Sequence, residues 1–151
     1  MQSDINEQKM EELDDGNAFA VFNHLKPERV ERDCAVFTLE IRPESRNPYG
    51  FVHGGMLAAM ADNAAGYAAH SDGRTYVTQE SHLTYLHNQA TGVIRAVSRV
   101  IHRGRTICLT HVDILGVGDV LLATGEVTYF CVDFDALERR MEESAHSGRA
   151  I

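Results

Sequence analysis

No run of apolar residues in this 151-residue chain approaches the length of about eighteen that a membrane-spanning helix needs. Its opening stretch, MQSDINEQKMEELDD, is acidic where a secretory signal would be basic and then apolar. The expectation is a cytoplasmic protein with no membrane association. Cysteine is scarce too: Cys34, Cys108 and Cys131 are odd in number, widely spaced and form no CxxC pair, which argues against a disulfide framework or a zinc knuckle. Positive charge is in deficit. With 14 Lys and Arg against 22 Asp and Glu, the net charge of −8 would repel nucleic-acid phosphates, so no nucleic-acid partner is expected. A polyanionic ligand would need a local basic patch. His53, His70, His82, His87, His102 and His111 lack the paired helical spacing and the accompanying cysteines of a zinc site, so neither a metal nor a cofactor is expected.

What the chain does have is enough apolar residue, 44%, for one real core at a length that fits one domain. The pattern divides it into a helical arm over 1–26, a main domain over 27–132 and a helical tail over 133–151. An acid-rich helical stretch from Asp4 to Leu13 and a short amphipathic piece from Ala18 to Leu25, ended by Pro27, look like a lid or packing arm. Cys34 to Ile41 alternates as a first strand. A helix runs from His53 to about His70, and period-two stretches follow at Thr75–Leu86, Val93–His102, Thr106–Leu115 and Val120–Val132. Gly92, Gly104, Gly116 and Gly118 mark the turns between them. Ala58, Ala59, Ala61, Ala64, Ala65, Gly66 and Ala68 make the helix small or apolar around most of its circumference, as a helix buried on nearly all sides would be.

The densest signal lies between Asn47 and Asp62, in NPYGFVHGGMLAAMAD. Pro48 and Gly50 punctuate a turn, and Gly54 and Gly55 open the helix without side chains to cover its first backbone N–H groups. Those donors carry the positive end of the helix dipole and suit a carbonyl oxygen that becomes an oxyanion. Asp62 follows two turns later among Ala, Met, Leu and Gly, where a carboxylate is costly without a partner or a task. Each residue taken singly also has a structural explanation: His53 can hold the loop, the glycines can serve packing, and Asp62 can bond a neighbouring strand. Their joint spacing favours an active site.

The pattern Asn-Pro-x-Gly-x-x-His-Gly-Gly followed by a helical Asp resembles the hot-dog-fold acyl-CoA thioesterases of the phenylacetate-degradation (PaaI) type. It is carried here by Asn47, Pro48, Gly50, His53, Gly54, Gly55 and Asp62, and the likeness extends over about Leu25 to Phe130. The resemblance implies an α+β fold in which a curled antiparallel sheet of five or six strands wraps a long central helix. It implies hydrolysis of an acyl-CoA thioester, with the carbonyl on the N–H of Gly54, with or without Gly55, a pocket shaped by Asn47 and His53, and Asp62 as base or nucleophile. Thr78, on the strand after the helix, is the candidate to steady Asp62, with Gln79 or Ser81 as substitutes. The alternative function is a non-catalytic acyl-CoA-binding protein; a hydratase would need a different loop pattern.

Helix geometry adds a requirement for assembly. Asp62 lies eight residues beyond Gly54, about 12 Å along the axis, too far for both to act on one carbon. A two-fold dimer that sets the helix start of one subunit beside Asp62 of the other completes the site, and the resemblance implies such dimers, with pairing into a homotetramer. The basic patch is sought in Arg95, Arg99 and Arg103, whose even spacing puts them on one face of a strand, and in Arg105 beyond Gly104. Arg99, Arg103 and Arg105 are the candidates to hold coenzyme A phosphates.

Overall fold

The computed structural model describes residues 16–150. The helical stretch expected from Asp4 to Leu13 lies outside them. The chain forms a short helix α1 (Ala18–Phe22), strands β1 (Lys26–Glu31) and β2 (Cys34–Glu40), the long helix α2 (Gly54–His70), strands β3 (Thr75–Tyr85), β4 (Val93–Arg103), β5 (Ile107–Leu115) and β6 (Leu121–Val132), and a final helix α3 (Phe134–Ser147). The six strands make one antiparallel sheet in the order β1-β2-β4-β5-β6-β3. The sheet curls around α2, which packs against all six strands. This is the hot-dog arrangement.

Helix α2 is buried as its composition requires. Leu57, Met60, Ala61, Ala64, Ala65, Ala68 and Ala69 are buried against the sheet, and no residue between Met56 and Tyr67 is exposed. The small alanines bring helix and strands close, while Phe37, Leu39, Ile94, Val112, Ile114 and Val127 fill the space between. Burying each of the larger side chains contributes roughly 1.5–3 kcal/mol. Gly125 permits the curl at the other end of the sheet: a Cβ there would meet the carbonyl oxygen of His82 at 1.9 Å, so β3 can cross β6 closely only over a glycine.

Two elements differ from expectation. Strand β1 runs through Pro27, ahead of the stretch from Cys34 expected to be the first strand. Proline lacks a donor and is tolerated because β1 is an edge strand, with an irregular register between Pro27 and Arg29. The second difference is in β4, where the pairing with β5 slips between Val100 and His102. Ile101 is an extra residue in the strand, and it inverts the alternation of everything beyond it. At the other edge of the sheet stands β3, eleven residues long, exposed for most of its length and bonded on one side only, to β6.

Candidate active site

The loop before α2 is folded by its own polar groups. The Asn47 Oδ1 accepts from the backbone N–H groups of Tyr49 (3.0 Å) and Phe51 (3.2 Å), the Asn47 N–H bonds the Phe51 carbonyl, and Gly50 turns with a positive φ of 87°. The loop is pinned to the body through His53 N–H to the Ser45 carbonyl at 2.7 Å and Val52 N–H to the Gln89 carbonyl at 2.9 Å. His53 then caps the helix. Its Nδ1 accepts from the Gly55 N–H at 2.8 Å, which orients the ring over the first turn. The expectation for Gly55 is corrected by that bond: its N–H is engaged by the capping ring and is not open to a ligand. The Gly54 N–H has no acceptor among the described residues and points out of the first turn at the positive end of α2.

Two turns on, Asp62 is half-buried on the face of α2 that looks toward β3 and β6. Its Oδ1 accepts from the Thr78 hydroxyl at 2.9 Å and from the Tyr129 hydroxyl at 2.9 Å, and the Tyr129 hydroxyl also reaches the Asp62 backbone carbonyl at 2.7 Å. Oδ2 accepts nothing from the described residues. Burial, with the charge and hydrogen bond of Asp62 added, pushes the Tyr129 hydroxyl far above its ordinary titration range, so it remains a donor. Thr78 is thus brought to Asp62 as expected, and a bulge at Gln79 immediately follows it. Gln79 and Ser81 make no hydrogen bond to Asp62. A cavity of about 620 Å³ opens beside this carboxylate between α1, α2 and β3, with Phe19, Tyr67, Tyr76 and Val77 among its apolar walls. Asn17 ties α1 across it by donating to Asn63 Oδ1 at 2.9 Å.

Tyr129 is the site residue that sequence reading missed. Its strand alternates correctly, so an inward, buried ring was legible; that the hydroxyl meets Asp62, 67 residues earlier, was not. The spatial reading of the arginines is the clear correction. Because of the extra Ile101, Arg103 faces inward beside Cys108, opposite to Arg95 and Arg99. Its guanidinium bonds Asp33 Oδ1 (2.7 and 3.1 Å), Asp72 Oδ2 (2.7 Å), the Tyr76 hydroxyl (2.9 Å) and the last-turn carbonyls of Ala68 and Ala69 (3.2 and 2.9 Å). Every donor is used internally, to close the C-terminus of α2, and Arg103 has none left for phosphate. Arg99 lies exposed on the outer face of the sheet between Cys34 and His111. Arg105 is exposed in the β4–β5 turn, where its carbonyl is held by Arg74 at 3.0 Å. None of the three lines the cavity. Among the described residues, no three histidines, cysteines or carboxylates gather as metal ligands, and no helix is long and apolar enough to cross a membrane.

Comparison with known proteins gives this geometry a family context. The Thioesterase superfamily matches over residues 49–123, which includes the helix start, Asp62 and Thr78. The Mycobacterium tuberculosis protein named Putative esterase Rv1847 is 30% identical over 101 residues, a span covering 63% of this chain and 72% of that protein. A 1,4-dihydroxy-2-naphthoyl-CoA hydrolase of Listeria monocytogenes is 26% identical over 66% of this chain and 83% of its own length. The solved PaaI protein of the E. coli phenylacetic acid degradation operon shares the fold with a TM-score of 0.78, at 21% identity over 83% of this chain and 92% of that one.

Proposed function

The chain belongs to the thioesterase superfamily and has its hot-dog fold, and we propose that its reaction is the hydrolysis of an acyl-CoA thioester to a free acid and coenzyme A. The observation that carries this reading is the Asp62 carboxylate, fixed by two hydroxyl donors through one oxygen, with the other oxygen open beside an apolar cavity. A hydroxyl-bound carboxylate at such a place suits a base or nucleophile better than a packing role. The name of the Listeria relative, a CoA hydrolase, agrees with the choice of thioester.

In the proposed reaction the thioester carbonyl sits on the Gly54 N–H at the positive end of α2, where the developing negative charge is stabilised. Asn47 and His53 keep that turn in shape, and the capping bond to Gly55 holds the helix start rigid. Asp62 either takes the proton of an attacking water or itself attacks to form a mixed anhydride that water then opens; both routes expel the coenzyme A thiolate and use the same atoms. Thr78 and Tyr129 are positioning residues that aim the carboxylate.

Gly54 and Asp62 are separated by about 12 Å along one helix, so the reaction needs Gly54 from one subunit and Asp62 from another. The long, singly bonded β3 edge supplies a surface for that two-fold pairing. Pairing of dimers into a tetramer belongs to the same proposal, as does a cytoplasmic location. Exposed Arg105 remains a candidate for a coenzyme A phosphate, and Arg99 a weaker one on the outer face.

The test is thiol release from acyl-CoAs by the wild type, followed by mixing two inactive variants. Gly54→Pro deletes the N–H without strain, because His53 already has the extended backbone (φ −69°, ψ 136°) that a following proline demands, and proline is tolerated at a helix start. Heterodimers of Gly54→Pro with Asp62→Ala regain one intact site and should recover part of the activity. Dead heterodimers of verified mass would contradict the shared site, and wild-type protein silent on every acyl-CoA would contradict the reaction.

A further inference from the structure

The face of α2 that borders the cavity carries Asp62, Gly66 and His70 at four-residue intervals, so they stand in line along about 12 Å of helix. The candidate reaction centre is at one end. At the other, the ring of Tyr76 closes the line with that of His70 against it edge-on, centroids 5.5 Å apart. Tyr76 is held from every side. Its hydroxyl donates to Asp72 at 2.7 Å and accepts from Arg103 at 2.9 Å, its backbone N–H reaches the His70 Nε2 at 3.2 Å, and the Arg74 guanidinium lies 5.3 Å from its ring centroid. His70 is fixed in turn by its Nδ1 on the Gly66 carbonyl at 2.7 Å. A wall braced in this way does not yield to a longer ligand.

Between the two ends stands Gly66, which packing does not require. The nearest atoms a Cβ there would meet are the Tyr129 hydroxyl at 3.5 Å and its ring carbons at 3.8 and 3.9 Å, all ordinary contacts, and the backbone is regular helix. A glycine inside a helix is destabilising relative to alanine. Its presence therefore needs another reason, and the cavity it borders supplies one: the missing side chain leaves room along the helix.

We infer that this line is an acyl channel in which Gly66 provides the passage and the braced Tyr76–His70 pair sets the length limit, so that the enzyme selects apolar acyl groups of short to medium length, up to about 12 Å extended. The inference rests on the acyl-CoA reading of Asp62. Gly66, His70 and Tyr76 are specificity-determining residues in it, and none takes part in the bond-breaking step.

The experiment measures kcat/KM for straight-chain acyl-CoAs from acetyl to hexadecanoyl, together with Tm, for the wild type, Gly66→Ala and His70→Ala. Wild-type kcat/KM should rise about fourfold with each methylene that the channel buries and collapse between octanoyl and dodecanoyl. Gly66→Ala should raise Tm while lowering the ratio of decanoyl to acetyl kcat/KM by about tenfold, and His70→Ala should move the collapse to longer chains. If Gly66→Ala cuts all lengths equally, or both variants keep the wild-type length profile, the channel assignment is overturned while the hydrolase reading stands. A wild type that releases no thiol from any member of the series overturns the hydrolase reading, and the channel with it.

Discussion

Two buried-facing aspartates, Asp62 and Asp72, sit ten residues apart near opposite ends of the same cavity and have opposite surroundings. Asp72 is saturated with cations and donors: Arg74 through its backbone N–H (3.0 Å) and its Nε (2.6 Å), Arg103 at 2.7 Å and the Tyr76 hydroxyl at 2.7 Å. Burial alone would raise its titration, but those hydrogen bonds and the Arg103 charge outweigh it and hold the carboxyl at about 2. Asp62 meets two neutral hydroxyls on one oxygen and, among the described residues, no cation, and its second oxygen accepts nothing from them. One carboxylate is spent on architecture, tying the end of α2 to the starts and ends of β3 and β4. The other leaves one oxygen, with its lone pairs, facing the cavity for a reacting atom. A charge's partners, more than its burial, separate the two roles.

The largest effect should come from breaking the structural cluster. Arg103→Ala removes one of the two guanidinium partners of Asp72, whose side chain is only 5% exposed, and leaves the Ala69 carbonyl without its guanidinium donor. A loss of about 3–5 kcal/mol in urea unfolding is expected. The same cluster gives an acid limb to stability. Because the folded Asp72 titrates below its unfolded value of 3.8, its contribution is complete above that pH and is lost as the pH falls toward about 2. Asp72→Asn should remove that limb, and Arg103→Ala, which keeps the Arg74 and Tyr76 hydrogen bonds, should only reduce it; an unchanged limb in Asp72→Asn would remove Asp72 from the account.

Next in size are the positioning hydroxyls at the other aspartate. Thr78→Val and Tyr129→Phe keep shape and each delete a charge-assisted bond worth about 1.5–3 kcal/mol, Tyr129→Phe with its bond to the Asp62 backbone carbonyl as well, so turnover should fall roughly tenfold or more in each. The comparison sharpens if Tm moves little for Thr78→Val, since Thr78 is exposed at the sheet edge and its hydroxyl donates to Asp62. A large Tm loss with unaltered turnover would make Asp62 a second structural aspartate. The smallest effect belongs to Arg105→Ala. An exposed phosphate contact is worth less than about 1 kcal/mol, so KM for an acyl-CoA should rise a few-fold and that for the matching acyl-pantetheine should not. Equal changes in both would remove Arg105 from phosphate binding.

The parts of the molecule that can be read from sequence are those written locally. The helix start, its glycines and Asp62 lie within sixteen residues, and the alanine-rich surface of α2 demands a sheet around it. Thr78 followed from resemblance to a family and from its place on the next strand. Tyr129 was hidden because its partner is brought near only by the curl of the sheet. Arg103 was misread because parity counting assumes an unbroken ladder, and one inserted residue, Ile101, turns the rest of β4 over. Pro27 hid β1 for a related reason: it reads as the end of the preceding amphipathic piece, whereas an edge strand such as β1 tolerates a proline. The engagement of Gly55 by His53 is likewise a matter of ring orientation that spacing alone does not carry.

The central claim, that Asp62 is the reacting carboxylate, is tested most directly by Asp62→Asn. Asparagine keeps the size of the side chain and an oxygen that can accept from Thr78 and Tyr129, so the fold and the dimer should survive while base and nucleophile are lost. Thiol release from an acyl-CoA that the wild type hydrolyses should fall at least about a hundredfold, in kcat and in kcat/KM alike, with Tm close to that of the wild type. Near-normal turnover in the folded variant would contradict the account.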